Sequence, residues 1–315
     1  MTGDAETSGK LLISGLRRSC TTALWEVFRG HPSVRAFDEP FHPSLWEGER
    51  DNSKATWSEL TALWSQTPLE LVPGVSPITP AEETKPGLTP SQAAYITILA
   101  NADQHVVIDV VRCWNKMDGI TGALPNVHIV QIVRSPVPWV LSHLTPSSIK
   151  NRQSFLMCKY RQTTALKRAK GYNTWKYEDI IENIIYNSPH LFREFNVDTD
   201  YISRSPAYVK LLAFWWMANL RIFRSVVEMA SNRYTFLLAE DFMRNPASVV
   251  CKLMAEIGLP SQTVDVSTIR APKNNSLYSN SKWVSAFDAI GIPHSLLPAV
   301  DHDTSIAQSE FQARI

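Results

Sequence analysis

The sequence predicts an α/β fold, a central parallel sheet flanked by helices, and three observations carry that expectation. Four short runs are continuously apolar and rich in β-branched residues: LLIS (11–14), VVIDVV (106–111), VHIVQIV (127–133) and YTFLLA (234–239). Unbroken apolar strands belong to a parallel sheet covered on both faces, whereas half-exposed strands alternate in polarity. Helical patterns lie between these runs, and strands alternating with helices describe an open α/β sheet. With 315 residues, 44% hydrophobic and 19% charged, the chain can bury one large core.

Taken in order, residues 1–10 (MTGDAETSGK) are small and polar, which predicts a flexible tail and lacks the apolar centre of a signal peptide. The first strand stops at Gly15, and TTALWEVFRG reads as a helix closing at Gly30. Residues 66–92 hold six prolines, which predicts a surface excursion. Residues 144–204 read as a second insertion, helical in parts. Its stretch from Lys159 to Lys176 carries six cationic side chains and no acidic one, the composition of a solvated helix face. SPAYVKLLAFWWMANLRIFRSVVEMA opens with Ser205 as N-cap and Pro206 at the first helical position. NPASVVCKLMAEIGLP repeats that grammar with Asn245, Pro246 and Gly258. The expected organisation is one domain, 11–315, with insertions near 66–92 and 144–204.

Composition excludes several classes of function. A formal net charge of +1 provides no global field for nucleic acid or an anionic membrane. Cysteines 20, 113, 158 and 251 form no metal-like spacing and no disulfide framework, so a cytoplasmic setting is expected. No stretch reaches the roughly 18 uninterrupted apolar residues of a membrane span; the richest, 211–223, contains Asn219 and Arg221.

The chemistry starts at LLISGLRRSCTTALWEVF. A strand, a turn and a helix N-terminus present unsatisfied amides and a positive helix dipole to an anion. Against the triphosphate-binding pattern GxxxxGK[ST], the segment keeps Gly15 and Thr22 but has Cys20 for the second glycine and Thr21 for the lysine. The charge sits instead on Arg17 and Arg18. A magnesium-nucleotide kinase is therefore disfavoured. A cysteine-nucleophile phosphatase needs an arginine six positions after Cys20, where Glu26 stands. Asp109, inside VVIDVV, could support a metal at a strand end; with two further valines behind it, it reads as structural. A second anion contact follows the third apolar run, where Arg134 leads RSPVPWVLSH and Ser142 comes eight residues later. An arginine fork and a hydroxyl suit a phosphate monoester.

In these elements the chain resembles the sulfotransferases that use 3′-phosphoadenosine-5′-phosphosulfate (PAPS). RRSCTTALWEVFRGHPSVRAFDEPFH is similar to their 5′-phosphosulfate loop with its HP and EP elements, and VRSPVPWVLSH to their 3′-phosphate motif. YTFLLAEDFMRNPASVVCKLMAEIGLP is similar to their strand, acidic ED element and NP helix. The first motif is nearer the carbohydrate and tyrosylprotein branches than the small-phenol branch. The resemblance covers roughly residues 11–45, 127–143 and 234–260.

The resemblance implies a sulfotransferase fold with a P-loop-like phosphosulfate loop, PAPS as co-substrate, 3′,5′-ADP as product, and no metal. It places Arg17, Arg18, Ser19, Cys20, Thr21 and Thr22 around the 5′-phosphosulfate, with Arg18 stabilising the leaving phosphate. Arg134 and Ser142 would hold the 3′-phosphate, and Arg270 and Lys273 in RAPKNNS would close over it, unless that segment is a solvated turn. Glu39 in FDEPFH matches the family's general base, with a pKa best raised from about 4.3 toward 6–7 by burial. Asp38 and His42 are its rivals. Trp46, Trp57 and Trp64 could line an acceptor pocket. The implied acceptor is a hydroxyl or amine of a small molecule, sugar or peptide, and the oligomeric state is left open. The competing expectation is a PAPS-binding protein with weakened catalysis, because a left-handed backbone at Cys20 would strain any residue but glycine.

Overall fold

Strand formation follows the apolar runs, with one addition. The computed structural model describes residues 9–46, 55–66, 75–144, 177–260, 264–270, 281–297 and 304–315. Its strands are β1 (Lys10–Ser14), β2 (Arg35–Asp38), β3 (Val106–Val110), β4 (His128–Val133) and β5 (Tyr234–Leu238). They form one all-parallel sheet in the order β2-β3-β1-β4-β5. β2 was not among the expected strands. RAFD is four residues long with a charge at each end, and it becomes a strand by pairing with β3, Arg35 against Val106 through Asp38 against Asp109.

The sheet is covered on both faces. Leu11, Ile13, Ala36, Val107, Val130 and Ile132 point to one side. There they meet Leu24, Trp25 and Phe28 of α1 (Thr21–Arg29) and a helix over Pro246–Glu256. Leu12, Phe37, Ile108, Ile129 and Val133 point to the other side and the larger core. Each fully enclosed aliphatic or aromatic side chain in such a layer contributes about 1.5–3 kcal/mol over an exposed one.

Helices α2 (Pro43–Trp46), α3 (Ser58–Gln66), α4 (Pro80–Glu83) and α5 (Pro90–Ala100) lie between β2 and β3. Over its described part the expected surface excursion exposes Ala81, Lys85, Pro86 and Pro90, while Ile78, Glu83 and Gln92 are fully enclosed and Thr89 and Gln92 form a capping box. Helix α6 (Met117–Ala123) follows β3 and α7 (Pro136–Leu144) follows β4. The basic stretch 159–176 lies outside the described residues.

Beyond it run α8 (Tyr177–Asn187), α9 (His190–Arg193), α10 (Thr199–Arg204) and α11 (Ala207–Ala230). Trp215 and Trp216 of α11 are buried in the larger core, stacked with ring centroids 6.2 Å apart. After β5 come α12 (Ala239–Arg244), α13 (Pro246–Glu256), α14 (Ser281–Ile290) and α15 (Thr304–Gln312). The expected caps Ser205 and Asn245 precede their helices without capping them. The Ser205 hydroxyl donates to the Tyr201 carbonyl at 2.8 Å, and the Asn245 side chain makes no cap bond. Gly30 ends α1 in ordinary right-handed backbone, φ −67. No described helix is long and apolar enough to cross a membrane.

Candidate functional site

The crossover pattern places the site. The chain leaves β1 toward one edge of the sheet and leaves β4 toward the other, and these two strands are neighbours. A crevice opens at the carboxyl ends of strands where connections diverge in this way. The loop after β1 and Arg134 after β4 both stand there. Gly15 makes the close approach possible: a Cβ on it would meet the Ile132 carbonyl oxygen of β4 at 2.6 Å.

The loop Leu16–Cys20 turns tightly, with the Ser19 amide donating to the Leu16 carbonyl at 3.1 Å. That amide is spent inside the turn. The first intrahelical bond of α1 runs from Leu24 N–H to the Cys20 carbonyl, so the amides of Thr21, Thr22 and Ala23 are the helix's unspent donors. Thr21 is buried and Thr22 exposed. The Ser19 hydroxyl is buried without a hydrogen-bond partner among the described residues.

Two loop residues occupy left-handed backbone, Arg18 at φ 73 and Cys20 at φ 71. For residues with a Cβ this costs about 1–3 kcal/mol each, and such strain is kept where the surrounding structure over-determines it. The Cys20 sulfur lies 4.0 Å from the Met243 sulfur, and burial raises its thiol pKa, which suits packing rather than a thiolate nucleophile.

The two loop arginines part company. Arg18 is exposed, and its carbonyl accepts from Arg134 Nη1 at 3.1 Å. Partial burial, and then the adjacent charge of Arg134, lower the Arg18 guanidinium below its ordinary value. Arg134 Nε is buried without a partner among the described residues. Two neighbouring guanidiniums at a helix N-terminus, one with an unsatisfied donor, form a site that an anion would relieve.

Arg17 turns inward instead. It is 4% exposed, ion-paired with Glu83, and its guanidinium carbon sits 4.9 Å from the Tyr177 ring centre. Burial opposes its charge, but Glu83, Tyr177 and Glu39 outweigh that and hold the guanidinium firmly ionised. The structure thus gives Arg17 a buried carboxylate as partner, where the sequence reading grouped it with the phosphosulfate contacts.

Two indoles fix the loops from below. Trp139 Nε1 donates to the Arg17 carbonyl at 2.9 Å, and Trp215 Nε1 to the Arg134 carbonyl at 3.0 Å. The carboxylate of Glu240, from the ED element, accepts the Ser135 amide at 3.2 Å, at the start of α7. Asp241 accepts from Thr304 and Arg244. Ser142, half-buried on α7, donates to the Trp139 carbonyl at 2.6 Å, so its hydroxyl must turn to bind a phosphate.

Glu39 stands at the tip of β2 with φ 41, the third strained residue of this rim. Its amide donates to the Asp109 carbonyl at 3.0 Å, and its Oε2 accepts from Arg112 Nε at 3.1 Å. The side chain is 20% exposed. His42 Nε2 lies 4.0 Å from the same oxygen, while His42 Nδ1 accepts the Ser44 amide at 3.1 Å. In the neutral ring that bond assigns the proton to Nε2.

Asp38 and Asp109 face each other across β2 and β3, beneath α1. Burial, then the charges of Asp38 and Glu39, raise the Asp109 carboxyl well above its usual range, and the Thr21 hydroxyl is its counterweight.

The remaining residues divide. Arg270 is exposed and Lys273 lies outside the described residues. Trp57 is buried beside His42, and Trp46 and Trp64 pack together, centroids 4.9 Å apart, against Tyr95. These rings support the turn after β2 as an aromatic cluster. Sequence reasoning missed Glu83, Arg112 and the indoles of Trp139 and Trp215; only the position of Arg112, directly behind an apolar strand, offered a local signal. Among the described residues no group of three His, Cys, Asp or Glu side chains is placed to hold a metal ion.

No protein-family model matches the chain. No curated protein matches it. Among solved structures it is similar to a sulfotransferase from Alicyclobacillus acidocaldarius, at 14% identity over 95% of this chain and 98% of that one, TM-score 0.45. It is also similar to sulfotransferase STF1 from Mycobacterium tuberculosis H37Rv, at 13% identity over 96% and 76%, TM-score 0.42. A third is the sulfotransferase domain of the olefin synthase from Synechococcus PCC 7002, at 14% identity over 95% and 93%, TM-score 0.40. These are likenesses of outline, and the chemistry rests on the residues above.

Proposed function

We propose that the chain transfers the sulfuryl group of PAPS to a hydroxyl or amine of a small molecule, sugar or peptide. The observation that supports this reading is the bond from Arg134 Nη1 to the Arg18 carbonyl, which gathers two guanidiniums over the N-terminus of α1. The residues fit a donor phosphorylated at both ends. Arg18, the unspent amides of α1 and the hydroxyls of Ser19, Thr21 and Thr22 would hold the 5′-phosphosulfate. Arg134 and a rotated Ser142 would hold the 3′-phosphate. The orphaned donors Arg134 Nε and Ser19 Oγ gain partners in that arrangement.

PAPS supplies an activated sulfuryl group on a phosphate leaving group. Arg18 neutralises the charge that grows on that phosphate, and preorganised charge of this kind carries most of the catalysis in such transfers. Glu39, on the same rim, takes the proton from the acceptor. Guanidiniums and helix dipole supply the positive field, so this chemistry calls on no metal.

Calorimetric titration with 3′,5′-ADP in a chelating buffer tests the reading. Binding that Arg134→Ala weakens by about tenfold or more is expected for a lost charge-assisted contact. Tight magnesium-ATP binding with no response to 3′,5′-ADP would overturn it. A second reading, a binder with weakened catalysis, is favoured by the strained Cys20. It requires 3′,5′-ADP binding without any product from PAPS.

A further inference from the structure

A string of charges connects the anion loop to the candidate base. Arg17, next to Arg18, ion-pairs with Glu83 of α4. Glu83 is fully enclosed and also accepts from Arg112 Nη1 at 3.4 Å. Arg112, just past β3, donates in turn from Nε to Glu39 Oε2 at 3.1 Å. Two guanidiniums and two carboxylates sum to zero charge, so the string neutralises itself and is not an anion site. Its two ends differ: Glu83 is sealed in the core, and Glu39 reaches the solvent margin.

The end of β3 and the residue two positions past it grip Glu39, once each. The Asp109 carbonyl takes its amide, and the Arg112 side chain takes its carboxylate. The second grip aims the reactive group. A guanidinium suits this task because Nε and Nη1 are fixed on one plane and can hold two carboxylates at a set angle, which an ammonium cannot do.

We infer, resting on the sulfotransferase reading, that Arg112 is the positioning residue of the base. It aims the Glu39 carboxylate, and Glu83, shared with Arg17, sets that aim relative to the phosphosulfate loop. In that reading no side chain of the string is assigned to the donor. Its loss therefore shows in the rate of transfer and not in donor affinity.

The test compares wild type, Arg112→Gln, Arg112→Lys, Glu39→Gln and the Glu39→Gln/Arg112→Gln double variant. Affinity is read with 3′,5′-ADP by calorimetry, and turnover with radiolabelled PAPS against phenol, monosaccharide and tyrosyl-peptide acceptors. Arg112→Gln should bind 3′,5′-ADP within about threefold of wild type while kcat falls about 30- to 100-fold, the cost of a misplaced catalytic group. Arg112→Lys should recover at least about threefold of that loss, since the charge returns without the fork. In the Glu39→Gln background, Arg112→Gln should cost less than about twofold more, because residues acting as a unit are not additive.

Unchanged kcat in a folded Arg112→Gln enzyme, or full additivity in the double variant, would overturn the inference alone. If Arg112→Gln fails to fold, the Lys variant decides: a wild-type rate with Glu39 essential overturns it, and a reduced kcat at unchanged affinity supports it. A wild-type protein that neither binds 3′,5′-ADP nor turns over PAPS would overturn the sulfotransferase reading first, and the inference with it.

Discussion

Trp215, on the long helix α11, donates from its indole nitrogen to the Arg134 carbonyl at 3.0 Å. Trp139 does the same for Arg17 at 2.9 Å. Both rings lie in the larger core, so the loop after β1 and the turn after β4 are each tied by one hydrogen bond to a layer that cannot move without unpacking. Trp215→Phe keeps the apolar body and leaves the Arg134 carbonyl short of a partner. A loss of about 1 kcal/mol in urea unfolding and a severalfold weaker 3′,5′-ADP titration are expected. Equal affinity in the variant would show that the indole bond does not set the Arg134 geometry.

Cys20 answers a conformational question with the wrong residue. At φ 71 glycine has no steric cost, whereas a Cβ is disfavoured. Cys20→Gly should therefore leave 3′,5′-ADP affinity intact and raise stability by about 1 kcal/mol or less, part of the gain being offset by unfolded-chain entropy. Cys20→Val should destabilise, since a β-branched residue suits the left-handed region least. Denaturant midpoints of the two variants check both signs. Burial of the thiol also predicts slow alkylation at neutral pH compared with free cysteine.

Gly15 is required by space and not by backbone conformation. A methyl there would press on the Ile132 carbonyl. Gly15→Ala should part β1 from β4, costing about 1–3 kcal/mol and weakening 3′,5′-ADP binding, because Arg18 and Arg134 would separate. Thermal unfolding and calorimetry on the same sample separate the two effects. A stable variant with normal affinity would count against the crevice as the binding site.

The buried Asp109 carboxyl has its folded pKa raised by burial, so its protonated form is the one the fold favours. The sign follows from linkage. Its favourable contribution is complete below the unfolded value of 3.8 and is lost as pH rises toward the folded value. Asp109→Asn mimics the uncharged, protonated state at nearly the same volume. The variant should therefore gain stability over wild type at pH 8 and less at pH 5, by urea unfolding. The reverse order would refute a buried, proton-holding Asp109.

Glu39 and His42 are separated by their hydrogen bonds. Glu39→Gln should lower PAPS turnover by about 10²–10⁴-fold with donor affinity unchanged, the range for a lost general base. His42→Ala, which loses the Ser44 contact, should reduce turnover by less than about tenfold, as loosening of the turn. A dead His42→Ala beside an active Glu39→Gln would reverse the assignment.

The sequence by itself determined the parallel α/β class and four strands to within a residue or two. These signals are local: apolar runs, glycine and proline at element ends, and a loop that meets a helix. β2 escaped because four residues with charged ends become a strand only beside β3.

Only the tertiary structure decided which arginine of the pair turns into the core and which stays at the surface. Arg17 and Arg18 are equivalent in sequence, and the choice is made by a carboxylate 66 positions away, Glu83, together with the left-handed backbone at Arg18. The grip of Arg112 on Glu39 spans 73 positions. Hydrogen bonds and ion pairs act over about 3 Å, and distance along a chain carries no information about which groups the sheet order will bring that close.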